Sequence, residues 1–401
     1  MQWLHADRAI TGDGKTVLTP AWVCIDGKNI IEVTDRKPES ANPGNTTELK
    51  DVTLTPGLIN VHDHICRKEF RVNDPSKNFG ELAEKLMNSP KEYIILHSAY
   101  NMYKYLTEEG ITFTRDYGLA GLTSIYLGRA IEEGIAVGPE INAGGEPICI
   151  TGGHCYRISV QADGEAEVMK RVREQVVAGA KIIKFMGSGG LERFPEEDPT
   201  MPQFTISELT AGINCAHDLG FDTAIHAYSA EGIRRAIAAG IDNIEHGTMM
   251  TEDCIELMSK KGINLNPTGS GIRGAVKRGS QIKYLDLIQE RIYSHQEQGV
   301  RWAKQAGILI GAGTDSPGYI YEEIEWLAET LSETPVGALA HATGINAKIV
   351  KRDDIGLLEA GRRADIVAWK GDLTKSLEPL HNSLYMTWRA GTPFKGIAYK
   401  E

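Results

Sequence analysis

The order of apolar and polar positions divides the chain into three stretches. Residues 1 to about 55 hold short β-like runs, WVCIDG and NIIEV among them, broken by Gly, Asn and Asp turn signals and lacking a helical period. They predict a small sheet. From 56 to about 350, apolar runs of strand length alternate with amphipathic helical stretches, the pattern of parallel strands with helices packed outside them. Strands are expected near 58–64, 111–116, 145–150, 181–186, 222–227, 242–246, 263–267 and 308–314. Such a set fits a closed (β/α)8 barrel of the TIM type. After a last helix, ALAHATGINAKIV, short β runs return in ADIVAWKG and FKGIAYK. The expected architecture is therefore α/β. A (β/α)8 barrel over 56–350 carries the chemistry, and one small β-sheet domain is built from both termini, 1–55 plus 351–401.

Length and charge narrow the function classes. The 401 residues suffice for a barrel of about 250 residues plus a companion domain. A formal charge of -11 argues against nucleic acid as a partner, because neutralising phosphates needs clustered Lys and Arg. No apolar run reaches the roughly 20 residues of a membrane span. The opening MQWLHADRAITGDGK lacks the basic-then-apolar order of a secretory signal, and the six cysteines form no Cys-x-x-Cys pair. Reduced thiols and a cytoplasmic location are expected.

Candidate chemistry starts at LTPGLINVHDHIC. Separated by one residue on a strand, His62 and His64 point to the same side, where both can hold one divalent metal ion. Each further candidate closes a separate apolar run: His226 in DTAIHAYS, His246 in DNIEHGT and Asp315 in ILIGAGTDS. Strand ends at the C-terminal face are where a barrel gathers its catalytic groups. Four imidazoles and a carboxylate suit zinc or a similar ion. Lys184, in GAKIIKFMGSGG, closes another run. A buried lysine near metal ions has its pKa lowered. Its neutral amine can react with carbon dioxide to give a carbamate that bridges two cations. Two divalent ions would be nearly balanced by that carbamate, Asp315 and a hydroxide.

With these pieces in place the chain resembles the amidohydrolase superfamily, through LTPGLINVHDH, IKFMGSGG, AIHAYSAEGIRRAIAAGIDNIEHG, GAGTDS and GRRADIVAWKGD in that order. Within it the chain is similar to the imidazolonepropionase-like and Xaa-Pro dipeptidase-like branch. The resemblance implies a distorted barrel with a β-sandwich made of both termini. It also implies two divalent ions: His62, His64 and Asp315 on the more buried one, His226 and His246 on the more exposed one, and carboxylated Lys184 as the bridge. It places His154, in ITGGHC, and Tyr228 near the scissile carbonyl, and it implies a homo-oligomer. The chain departs from the pattern at Glu192, Arg193 and Phe194 and in the basic segment GSGIRGAVKRGSQIK.

The expected activity is metal-dependent hydrolysis of a C–N amide bond in a small-molecule substrate, namely a dipeptide, an N-acyl amino acid or a cyclic amide. Coordination lowers the pKa of water to about 7, which makes a metal-bridging hydroxide available as nucleophile. His154 or Tyr228 would polarise the carbonyl, and Asp315 would move the proton from the nucleophile to the departing amine. Substrates with a carboxylate need a cation, for which Arg193, Arg273, Lys277 and Arg278 are candidates. The alternatives are a heterocycle deaminase and a barrel without catalysis that serves in binding or assembly. Deaminases of the superfamily typically show His-x-x-Glu after the sixth strand, where this chain has His246 followed by Gly247, Thr248 and Met249. A non-catalytic barrel usually loses ligands, and none is missing here.

Overall fold

A computed structural model describes residues 1–66, 88–118, 121–191, 193–279, 282–316 and 318–396. The N-terminal stretch forms β1 (Gln2–Ile10), β2 (Val17–Leu18), β3 (Ala21–Asp26), β4 (Asn29–Thr34) and β5 (Thr46–Pro56). Period-two alternation decides what each strand buries. Leu4, Val23 and Ile25 enter one apolar cluster, whereas Trp3, Trp22 and Cys24 enter another on the opposite face.

Next come the parallel strands. β6 (Leu58–Asp63), β7 (Ile111–Asp116) and β8 (Glu140–Ala143) make one sheet. β9 (Ile148–Cys149), β10 (Val160–Gln161), β11 (Ile183–Met186), β12 (Thr223–Ala227), β13 (Asn243–His246) and β14 (Asn264–Asn266) make another, in the order β10-β9-β11-β12-β13-β14. Amphipathic helices alternate with these strands. In Ile206–Asp218, for example, Leu209, Gly212, Ile213 and Ala216 are buried at helical spacing, and a reciprocal capping box between Thr205 and Glu208 starts the helix.

Two expectations are corrected here. The third strand, expected at 145–150, lies at Glu140–Ala143, with only Ile148–Cys149 paired beyond it. Gly145 sits at φ +70° and Pro147 has no N–H, so the chain turns where a strand was expected. The eighth run, 308–314, forms no strand, although Ile310 makes an isolated parallel bridge to Leu265. Its backbone still reaches both sheets, through Gly311 N to Leu265 O at 2.8 Å and Val61 N to Ala312 O at 3.2 Å. The Asn346 side chain takes the remaining ladder positions, donating to Ile59 O and Ala312 O and accepting from Ala312 N. Gly313 lets this run lie against β6, since a Cβ there would fall 2.6 Å from the Cβ of His62. The expected closed eight-stranded barrel is thus resolved into two parallel sheets bridged by hydrogen bonds, including Lys181 N to Ala143 O at 2.7 Å on the other side.

The C-terminal strands β15 (Ile366–Lys370), β16 (Leu384–Arg389) and β17 (Thr392–Lys395) join the N-terminal ones in a single eight-stranded sheet. Both chain ends thus contribute strands to one hydrogen-bonded sheet. β15 pairs antiparallel with β5, and its alternation splits its side chains. Ile366 and Ala368 join the terminal cluster, while Val367 and Trp369 join the large apolar cluster around the parallel strands. No helix among the described residues is long and apolar enough to cross a membrane.

Trp369 is fully buried and donates its indole N–H to Thr55 Oγ1 at 3.0 Å, linking the two chain ends. Replacing Thr55 with Val keeps the shape and strands a buried donor, which costs about 1–3 kcal/mol. Urea denaturation of Thr55→Val is expected to show this loss, and an unchanged midpoint would contradict the role given to the bond.

Candidate metal centre

β6 is buried along its whole length and ends in His62-Asp63, with His64 next. Alternation sends Asp63 to one side, where its carboxylate accepts from Asn60, Tyr105 and Thr114, and sends both histidines to the other. Each imidazole is held through one of its nitrogens. His62 Nδ1 lies 2.5 Å from Glu245 Oε2, and its Nε2 is buried without a hydrogen-bond partner. His64 Nδ1 donates to Gly118 O at 2.9 Å, and its Nε2 stands 3.8 Å from Asp315 Oδ1. His226 Nε2 donates to Gly189 O at 3.1 Å, which leaves the lone pair on Nδ1. His246 Nδ1 contacts Thr268 Oγ1 at 2.6 Å. This is the arrangement by which outer partners orient metal-binding histidines.

Backbone conformation completes the convergence. His226 faces Glu245 across the β12–β13 ladder, so by alternation the His246 ring would point to the opposite side of the sheet. His246 instead enters the left-handed region at φ +67°, which ends the strand period and turns its ring toward the cavity. Asp315, at φ +50°, is set by its N–H on His62 O at 2.9 Å. Donor atoms of His62, His246 and Asp315 lie within 4.8 Å of one another. The resemblance had put His246 with His226 on a separate ion; here its ring is 5.0 Å from His62 and 4.7 Å from His226, between the two groups.

Lys184 lies on the same face as His226, because its neighbour Met186 pairs with His226 and Lys184 pairs with Ala224. It is fully buried, its Nζ has no hydrogen-bond partner, and it sits 4.1 Å above the Tyr117 ring. Burial lowers its pKa to about 8, against the opposing pull of Glu245 and Asp315. Burial likewise holds His226 and His246 well below the ordinary imidazole value, so they are neutral and ready to bind a cation. Glu245 would be raised by burial, but His62 beside it keeps it below the usual range. It stays an anion.

His154 stacks on His226 at 4.3 Å, and its Nδ1 lies 3.0 Å from the buried Glu197. The Tyr228 ring is 4.7 Å from that of His226. His62, His64, His154, Lys184, Arg193, His226, Tyr228, His246 and Asp315 all line one cavity of about 350 Å³, within the small-molecule range. Arg273 is not among the lining residues. Its guanidinium donates to Gly269 O and Gln296 Oε1 and lies over the Tyr293 and Trp326 rings. Arg278 is paired with Glu322, and Lys277 is exposed. Glu192 lies outside the described residues.

Sequence reading missed Glu245, Tyr117, Thr268 and Glu197. Glu245 accepts from Tyr117 at 2.7 Å and from Asn266 at 2.9 Å as well as meeting His62. Its one sequence signal was a carboxylate inside a short apolar strand.

Residues 53–397 match the amidohydrolase family. The ochratoxinase of Aspergillus niger is 26% identical over 443 residues, covering 98% of this chain and 86% of that protein. The imidazolonepropionase of Pyrobaculum arsenaticum is 22% identical over 393 residues, covering 92% and 89%. The crystal structure of a Xaa-Pro dipeptidase with methionine bound in its active site superimposes with a TM-score of 0.84 at 27% identity, over 98% of this chain and 100% of that one. That family generally uses divalent metal ions, and a His, His and Asp cluster stands where such an ion would bind. With the match running from β5 to the end of β17, the chain belongs to the amidohydrolase family and is a hydrolase acting on carbon–nitrogen bonds.

Proposed function

We propose that this chain hydrolyses the amide bond of a dipeptide, an N-acyl amino acid or a cyclic amide, using two divalent ions of the zinc type. The observation that carries the reading is a pair of buried orphan atoms, His62 Nε2 and Lys184 Nζ, in one cavity with His64, His226, His246 and Asp315. Leaving a buried polar atom without a partner costs about 1–3 kcal/mol. Metal ligation of His62 and carboxylation of Lys184 would satisfy both. His62, His64, His226, His246, Asp315 and the Lys184 carbamate would hold the ions. Bound there, divalent ions supply a water with a pKa of about 7 and polarise the substrate carbonyl.

The remaining work falls to side chains of this protein. Asp315 is partly exposed to the cavity and lies within 4 Å of both His62 and His64 Nε2 (3.9 and 3.8 Å), so its carboxylate is placed to carry a proton to the leaving amine. Burial raises the Tyr228 phenol well above its ordinary pKa, so it remains a donor that can hydrogen-bond a carbonyl oxygen. The dipeptidase and ochratoxinase relatives support amide substrates of this size. We assign 56–350 to the chemistry, and 1–55 with 351–401 to its support.

Asp315→Asn is expected to retain most bound metal while kcat falls by about 100-fold or more; activity within twofold of the parent would remove Asp315 from proton transfer. Carboxylation is read directly. Protein equilibrated with 13C-labelled bicarbonate should give a carbamate carbon resonance that disappears in Lys184→Met, and no such resonance in the metal-loaded parent would dismiss the bridge. Glu245→Gln should weaken metal affinity by about 10- to 100-fold, because His62 loses the anion that orients it. A competitive chelator titration measures this, and equal affinities would refute the orienting role.

A further inference from the structure

The cavity lining is of two kinds. Beside the nitrogen and oxygen donors stands an apolar wall of Met186, Leu191, Phe194, Ile272, Ile282 and Ile288. Leu191 and Phe194 belong to the segment after β11, and the three isoleucines belong to the stretch after β14. These two segments touch, with the Phe194 and Tyr284 rings edge to face at 6.1 Å. Leu191, Phe194, Ile272 and Ile282 are only half-buried and join none of the core clusters. Apolar side chains that converge on a cavity without packing into the core leave apolar surface in water, and a ligand group of matching character would remove it.

The nearby cations are engaged elsewhere. Arg193 lies 5.0 Å over the Tyr156 ring and 3.6 Å from Glu197, and Lys283 Nζ lies 4.8 Å over the Tyr284 ring. Glu196, which also lines the cavity, is exposed. The segment that carries Leu191 and Phe194 is tied to His154 through Glu197, whose Oε1 meets both His154 Nδ1 at 3.0 Å and Gly190 N at 3.2 Å. An apolar group bound at the wall would therefore be held in register with a bond placed at the metal ligands.

We propose that this apolar wall is a subsite that selects substrates carrying a large aromatic or branched aliphatic group beside the scissile carbon–nitrogen bond. The choice of substrate rests on the hydrolase reading above; the binding preference does not. Acetate, isovalerate and 3-phenylpropionate share a polar end and differ only in apolar bulk, so calorimetric titration of the purified protein with each isolates the wall. Affinity is expected to rise about 30-fold or more from acetate to 3-phenylpropionate. Phe194→Ala should remove about tenfold of that gain, with a much smaller effect on acetate. Ile272→Ser tests the other segment should Phe194→Ala fail to fold, and the parent series is itself decisive. Equal affinities across the series, or a gradient untouched by both substitutions, would overturn the subsite. Hydrolysis of N-acetyl, N-isovaleryl and N-(3-phenylpropionyl) glycine separates the two readings. Graded binding without turnover of any amide supports the subsite and counts against the hydrolytic substrate class, whereas turnover with flat binding overturns the subsite alone.

Discussion

The contact between the Glu245 carboxylate and His62 Nδ1, 2.5 Å long and fully buried, is the constraint on which the centre depends. A buried anion is tolerated only when its lone pairs are occupied, and Glu245 is met by His62, Tyr117 and Asn266. Those partners come from β6, the residue after β7, and β14. One side chain on β13 therefore ties both parallel sheets together and fixes the tautomer and direction of His62. The lone pair on Nε2 then faces the cavity, where His246 and Asp315 converge.

Convergence requires the backbone to leave its regular path. His246 and Asp315 both occupy the left-handed region, a conformation that costs non-glycine residues about 1–3 kcal/mol unless the surroundings over-determine it. Here they do. Asp315 is clamped between its own N–H on His62 O and the Ser316 N–H on its carboxylate, while His246 is held by Thr268 and by Gly247 N on Ala227 O. Regular pairing is given up around 308–314 for the same purpose, since the Asn346 amide bonds that run while Asp315 turns inward.

Donors and walls sit on different parts of the fold. The donors stand at or just beyond strand ends, where the sheet sets their positions within narrow limits. Apart from Met186 at the end of β11, the apolar wall and Arg193 sit on the connecting segments, which can vary without disturbing the geometry at the strand ends. This division fits a chain that shares its fold with a protein only 27% identical to it.

Much of the centre was legible because its signals are local. His62, His64, Lys184, His226, His246 and Asp315 each stand at the end of an apolar run, and strand alternation assigns a face within each run. The same local reasoning placed the third strand too late and gave the eighth run a strand, because it could not see the turn at Gly145 or the Asn346 side chain. Arg273 shows the limit from the other side. Its basic neighbourhood suggested a ligand contact, yet Gln296, Tyr293 and Trp326 surround its guanidinium, and none of them is near it in sequence. By itself the sequence determined which residue types end each apolar run, and hence the candidate residues and the alternating β and α pattern, since periodicity is a property of neighbours along the chain. Only the tertiary structure decided that Glu245 orients His62, that His246 turns toward Asp315 and that Arg273 is engaged elsewhere, because each of these depends on groups brought together from distant elements by packing.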